Sequence, residues 1–190
     1  LPPKSLKTLS EAFANGVFAA LKEQAFAGPD SVCTAYATPR RLALQVTGVA
    51  AQQPDRLIEK KGPAVASGLD ADGKPTRALE GFMRSAGVSF DEIAKVSDGK
   101  AEYFVARSEK KGETLALHLA DIVAHALKKL PIPKLMRWGD SEVQFVRPVH
   151  GLIMLHGGRV VPGTVLGLTA GQTTLGHRFM SSGEIVIGDA

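Results

Sequence analysis

The hydrophobic pattern of the chain changes its period at Pro131 and Pro133, and this change restricts the folds open to it. Before the prolines, apolar residues recur every three to five positions in 5–26 and again in 114–130, as in amphipathic helices. From Glu142 onward, short apolar runs are separated by glycines, as in strands joined by turns. Because proline cannot continue a helix, the pair marks the end of the helical pattern.

Shorter segments before the prolines also carry readable patterns. They are a strand pair at 31–37 and 41–49, a helix at 76–86, and a second strand pair at 93–96 and 101–107. The fold class that follows is α+β, with helices packed on mostly antiparallel sheets and a β-rich C-terminal part. We predict an α+β N-terminal region, 1–130, and a β-rich region, 131–190, in the same or an adjoining domain.

The composition limits the compartment and the partners of the chain. Cys33 is the only cysteine, so no disulfide can form within the chain, and a reducing cytoplasm is the expected location. No apolar run approaches the roughly 20 residues that span a bilayer, so no membrane partner is expected. The net charge of +4, from 23 basic and 19 acidic residues, mildly favours a polyanionic partner.

Two clusters of basic residues are candidates for phosphate binding. Arg40 and Arg41 stand together at a predicted turn, and adjacent guanidinium groups can grip phosphate in a bidentate way. Lys134 and Arg137 lie just after the prolines together with Trp138, the single tryptophan, a mixture suited to stacking a base or binding a phosphate. The alternative is that Trp138 is a core residue and that Arg137 pairs with a nearby carboxylate.

A third group of polar residues lies in the β-rich part. Arg147, His150, His177 and Arg178 would form a basic pocket if their strands lie side by side, with histidine as a base and arginine holding an anion. The alternative is that these groups only make hydrogen bonds that fix the loops. The histidine spacings complete no metal-ligand set, so no metal site is predicted.

Several short motifs occur in a fixed order along the chain. The three strongest are Lys134-Leu135-Met136-Arg137-Trp138-Gly139, Phe145-Val146-Arg147-Pro148-Val149-His150 and Gly176-His177-Arg178-Phe179. Supporting motifs are Leu1-Pro2-Pro3-Lys4, Thr38-Pro39-Arg40-Arg41-Leu42-Ala43, Lys61-Gly62-Pro63 and Lys74-Pro75-Thr76. Together and in this order they resemble the β subunit of bacterial glycyl-tRNA synthetase over nearly the whole chain.

The resemblance implies a part in a class II aminoacyl-tRNA synthetase, a ligase of α2β2 architecture that uses ATP to attach glycine to tRNA. In that family the adenylate-forming site, with its expected magnesium, lies in the α subunit, so this chain is expected to bind no cofactor and not to be catalytic alone. The family's HD-type and anticodon-binding domains are absent from the 190 residues, which therefore look like an N-terminal fragment.

Three hypotheses for the chain follow. In the first, it contacts tRNA and supports subunit assembly, with tRNA-binding residues Arg40, Arg41, Lys134, Arg137, Trp138, Arg147 and Arg178. In the second, His150 and His177 form an editing-type hydrolytic pocket. In the third, the chain is a scaffold that touches no RNA. Arginines paired with carboxylates would favour the scaffold, whereas exposed arginines would favour RNA binding.

Overall fold

The structure, a computed structural model, describes residues 3–70, 73–97, 101–132, 134–140, 142–176, 179–181 and 183–190. These residues form helices and antiparallel strand pairs, which confirms the α+β class. No helix in the described part is long and apolar enough to cross a membrane. The chain divides into two compact units, unit 1 (Leu1–Gln53 with Glu113–Ala190) and unit 2 (Pro54–Gly112). The predicted junction at residue 131 lies inside unit 1, and a division of the chain there stays a prediction.

Helix α1 (Pro3–Glu23) opens unit 1 and supplies one wall of its core. Its buried apolar residues recur every fourth position, as helix geometry requires: Leu9, Phe13, Val17 and Leu21. The helix ends three residues before the predicted 5–26 because Ala25 takes a left-handed φ of 58°. The Phe26 N–H then donates to the Leu21 carbonyl at 2.8 Å, and the Phe26 ring enters the core.

Strands β1 (Cys33–Thr38) and β2 (Arg41–Val46) form the first predicted hairpin. Burial alternates along both strands, since successive side chains of a strand point to opposite faces. The less exposed face packs on α1 and includes Leu42, Leu44 and Val46. The turn between the strands consequently projects from a hairpin that is anchored on one face.

Unit 2 is a three-stranded antiparallel sheet with helices beside it. Its elements are β3 (Arg56–Ala64), α2 (Val65–Gly68), α3 (Arg77–Ala86), a 3₁₀ turn (Phe90–Glu92), β4 (Ile93–Ser97) and β5 (Glu102–Lys110). The strand order is β3-β5-β4, which confirms the second predicted hairpin and adds β3 to it. Phe104 and Leu79 are almost fully buried and form the centre of the unit. A Cβ at Gly68 would lie 2.6 Å from the Phe104 ring, so this glycine lets α2 approach β5.

The C-terminal end of α3 gives a stability prediction. Gly87 follows the helix with φ of +69°, and its N–H donates to the Met83 carbonyl. We expect Gly87→Ala to lower the free energy of unfolding by about 1 kcal/mol, because a Cβ is strained in the left-handed region.

Gly81→Ala in the same helix is the control. Gly81 has open space at its Cβ position and no positive φ, so alanine should raise stability by up to about 1 kcal/mol there. Urea denaturation should therefore give opposite signs for the two variants, and equal signs would contradict this account of the cap.

Helix α4 (Leu115–Lys128) returns the chain to unit 1 and packs on α1. Ile122 and Ala126 are buried between the elements, and a Cβ at Gly16 of α1 would lie 3.3 Å from the Ala126 Cβ. The two helices therefore approach closely at this point. The helix ends before Pro131, as its sequence pattern predicts.

The rest of unit 1 is a series of short strand pairs, which confirms the β-rich character of this part. They are β6 (Met136–Arg137) with β7 (Gln144–Phe145), β8 (Leu155–His156) with β9 (Arg159–Val160), β10 (Thr164–Val165) with β11 (Leu168–Thr169), and β12 (Thr173–Leu175) with β13 (Glu184–Val186). Phe145, Met154, Val161 and Val165 send buried side chains into the core of α1 and α4. The first three pairs are thus anchored by apolar side chains, whereas β12 and β13 contribute none to this core and expose Leu175, Ile185 and Val186.

Candidate nucleic-acid interface

The β1–β2 turn presents Arg40 and Arg41 at the surface of unit 1. Both residues are exposed. The Arg40 backbone N–H donates to Thr38 Oγ1 at 3.3 Å, and Arg41 Nη2 donates to the Leu175 carbonyl of β12. Within the described residues, neither guanidinium group has an ion pair with a carboxylate. The turn is thereby tied to the β12 strand without neutralisation of its charge.

Three further cations lie on or next to the β6–β7 pair. Its ladder matches Met136 with Phe145 and Arg137 with Gln144. Lys134 stands two residues before Met136, and Arg147 stands two residues after Phe145, so both leave the same end of this antiparallel ladder. Lys134, Arg137 and Arg147, which we call the basic hairpin, are all exposed.

The local sequence explains why these cations face outward. Phe145 is buried in the core of unit 1 and anchors its strand, while Gly139 takes a φ of +58° in the connecting turn. Trp138 is half-buried and packs against the same core. This position favours the core interpretation of Trp138, whose part in tRNA binding stays a prediction.

Within the described residues, the three cations of the basic hairpin form no ion pair with a carboxylate. No ion pair joins Arg137 to a described carboxylate, so the expected alternative pairing with nearby acidic residues is not observed. Lys134 and Arg147 likewise have no described carboxylate partner. Exposed cations without a local anion retain their full attraction for a polyanion.

The predicted basic pocket of the β-rich part is only partly described. His150 is exposed. His177 and Arg178 lie outside the described residues, so the hydrolytic pocket stays a prediction. In the ranges that the structure describes, no group of three or more His, Cys, Asp and Glu side chains is arranged to hold a metal ion.

Two other histidines have structural partners. His118 Nε2 lies 2.5 Å from Glu113 Oε2, and the His118 ring packs near Phe26. His156 Nε2 lies 2.7 Å from the Val49 carbonyl, to which its N–H can donate. These contacts cross-link segments of unit 1 and explain the two side chains without a catalytic role.

Cys33 is the remaining candidate nucleophile. It lies on the inward face of β1, with Sγ 3.7 Å from the Ala14 carbonyl. Burial raises the pKa of the Cys33 thiol above its ordinary value. Because the thiolate is the reactive form, this position does not activate Cys33 at neutral pH.

Sequence reasoning missed the contact between Arg41 and Leu175, which joins residues 134 positions apart. No local pattern encodes such a contact. It also missed the charged and aromatic side chains of the unit 2 sheet, although the alternating pattern of β5 would have placed Tyr103 and Val105 on one face.

Comparison with known proteins gives one consistent result. The family model described as glycyl-tRNA synthetase beta subunit matches residues 1–190. Curated relatives named glycine–tRNA ligase beta subunit include those of Neisseria meningitidis serogroup A / serotype 4A (strain DSM 15465 / Z2491), 52% identical, and Neisseria gonorrhoeae (strain NCCP11945), 51% identical. That of Serratia proteamaculans (strain 568) is 47% identical. Each alignment covers 100% of this chain and 27–28% of the relative, so the chain spans little more than a quarter of their length.

Proposed function

The chain belongs to the glycyl-tRNA synthetase β-subunit family, and from this premise we propose that it is a tRNA-contacting part of a ligase that attaches glycine to tRNA in the cytoplasm. The complete ligase would contain α and β subunits as an α2β2 tetramer and would use ATP at the α subunit. Within it, this chain contributes positive side chains to tRNA binding and surface to subunit assembly. It forms no adenylate itself.

The proposal rests on the exposure and the lack of observed ion pairs of five cations on unit 1. They are Arg40, Arg41, Lys134, Arg137 and Arg147, all exposed and none ion-paired to a carboxylate in the described ranges. The scaffold hypothesis expects the arginines to be paired with carboxylates, whereas an RNA-binding surface needs exposed, unpaired cations. Phosphate contacts of this kind position a nucleic acid without reading its sequence.

A direct binding experiment tests the proposal. The 190-residue chain is titrated with glycine tRNA and with an unrelated tRNA at about 50 and about 200 mM salt. If three of the cations contact phosphates, the affinity should fall about 40-fold between the two salt concentrations, because counterion release becomes less favourable.

Two outcomes separate the functions. Binding with this salt dependence supports the tRNA-contacting role, and a preference for glycine tRNA would place part of the recognition in this chain. Absence of binding to both tRNAs at the lower salt concentration would contradict the proposal and leave the scaffold hypothesis.

A further inference from the structure

A cleft lies on the sheet of unit 2, far along the sequence from the basic hairpin. It is half open to solvent and has a volume of about 290 Å³. Its lining comes from all three strands: Glu59, Lys61, Val96, Ser97, Tyr103 and Val105. This volume lies just below the range of about 300 to 1,000 Å³ for small-molecule sites, so the cleft suits one flat ring system and nothing larger.

The alternation of β5 explains why the cleft faces away from the helices. Phe104, Val105 and Ala106 are all buried, but it is the Phe104 ring that packs against α2, at Gly68. Tyr103 and Val105 therefore occupy the opposite face of the sheet. The register places Tyr103 opposite Val96, which brings an aromatic ring and an apolar floor together.

Charged groups are fixed around this apolar floor. Lys61 Nζ lies 3.8 Å from the centroid of the Tyr103 ring, a cation–π contact. Glu59 Oε1 lies 2.7 Å from Arg107 Nε on the neighbouring strand. The Arg107 contact orients the Glu59 carboxylate at the edge of the cleft, where it can accept hydrogen bonds.

We propose that this cleft binds one unstacked nucleobase of RNA, with Tyr103 as the stacking platform. A base stacks on an aromatic ring whatever its identity, because every base has a π face. The Glu59 carboxylate accepts from amino groups on the base edge. The base displaces Lys61 from the face of the Tyr103 ring, and the long Lys61 side chain then places its charge next to the RNA backbone. The choice of RNA as the ligand rests on the proposed function, whereas the position of the cleft does not.

The composition of the cleft favours a base over a protein partner. The centres of protein–protein interfaces are depleted of Lys and Glu, and both occur here beside the apolar floor. A base accommodates them, since its edge carries hydrogen-bonding groups and its backbone carries negative charge. Base binding in single-stranded recognition commonly combines an aromatic platform with such cations.

The two tyrosines of the chain make a direct test available. Incorporation of fluorotyrosine gives two ¹⁹F resonances, from Tyr36 on β1 and Tyr103 on β5. Tyr36→Phe removes one resonance and assigns both. The labelled chain is titrated with a single-stranded RNA hexamer and with an RNA duplex, in which the bases are stacked and paired.

We expect the Tyr103 resonance to shift in a saturable way with the single strand and not with the duplex, while Tyr36 stays unchanged. Tyr103→Leu should weaken hexamer binding about 10-fold, because the π face is lost, and Tyr103→Phe should retain it. The resonance titration keeps a tyrosine ring at position 103, so it remains decisive even if Tyr103→Leu does not fold.

The inference is overturned if neither RNA shifts Tyr103, which is the result expected of a face that contacts only protein. An equal shift with the duplex would also overturn it. These failures are distinct from failure of the proposed function. Salt-dependent tRNA binding with an unshifted Tyr103 would leave the basic surface of unit 1 in place and remove only the base site.

Discussion

Replacing Lys134, Arg137 and Arg147 together with glutamine is expected to weaken tRNA binding about 100-fold at low salt, given about 1 kcal/mol for each lost phosphate contact. All three side chains are exposed and have no described carboxylate partner. Their removal should therefore leave the fold intact and change only the attraction for phosphate. The measurement is the dissociation constant of the tRNA complex at several salt concentrations.

The salt dependence of tRNA binding distinguishes direct phosphate contacts from a general effect of net charge. Loss of three phosphate contacts should make the slope of log affinity against log salt concentration less negative. The expected change is about 2.7 if the contacted phosphates are spaced as in a double helix. A matched control replaces Lys7, Lys128 and Lys129 with glutamine, which removes the same charge from exposed positions in α1 and at the C-terminal end of α4. If the control weakens binding as much as the basic-hairpin variant, net charge alone explains the affinity and the assigned surface is wrong.

Phe104→Ala is expected to destabilise unit 2 by about 3 to 5 kcal/mol, the usual cost of removing a buried aromatic side chain. Phe104 is 1% exposed and fills the space between β5 and α2. A unit of this size has a total stability of only about 3 to 9 kcal/mol. The substitution should consequently remove most of the amide protection of Pro54–Gly112 in hydrogen exchange.

The readout can be confined to one unit at a time. Trp138 is the single tryptophan and belongs to unit 1, so its emission should keep its denaturation midpoint in the Phe104→Ala variant. Leu57→Ala is the control in unit 2, because Leu57 is 75% exposed and should change stability by less than about 0.5 kcal/mol. If amide protection in hydrogen exchange were lost equally in both units, the effect of Phe104 would not be confined to unit 2.

The helices were the easiest part of the fold to predict. The 114–130 pattern corresponds to α4 at Leu115–Lys128, and the 76–86 pattern corresponds to α3 at Arg77–Ala86. Each helix ends close to a stop signal in the sequence. For α4 it is the proline pair, and for α3 it is a glycine with positive φ. The end of α1 was misplaced because Ala25, a residue that rarely takes positive φ, does so here.

The candidate site was predicted in composition but not in arrangement. The sequence identified Arg40 and Arg41 at a turn and Arg137 after the proline pair as candidate cations, and the structure places all three at the surface. It left open whether Arg137 pairs with an acidic neighbour, because exposed side chains three to five residues apart can either meet or diverge. Which of these cations contact tRNA stays a prediction.

The sequence by itself determined the local elements, the α+β class and the family, because periodicity, turn residues and ordered motifs are written in neighbouring positions. Only the tertiary structure decided which distant segments meet. The Gln53 N–H donates to the Glu113 carbonyl where the chain leaves and re-enters unit 1, and Arg41 donates to the Leu175 carbonyl. The unit 2 cleft likewise needs Glu59 and Tyr103 on adjacent strands. Such contacts are selected by the summed packing of whole faces, in which each pair contributes little, so no short stretch of sequence encodes them.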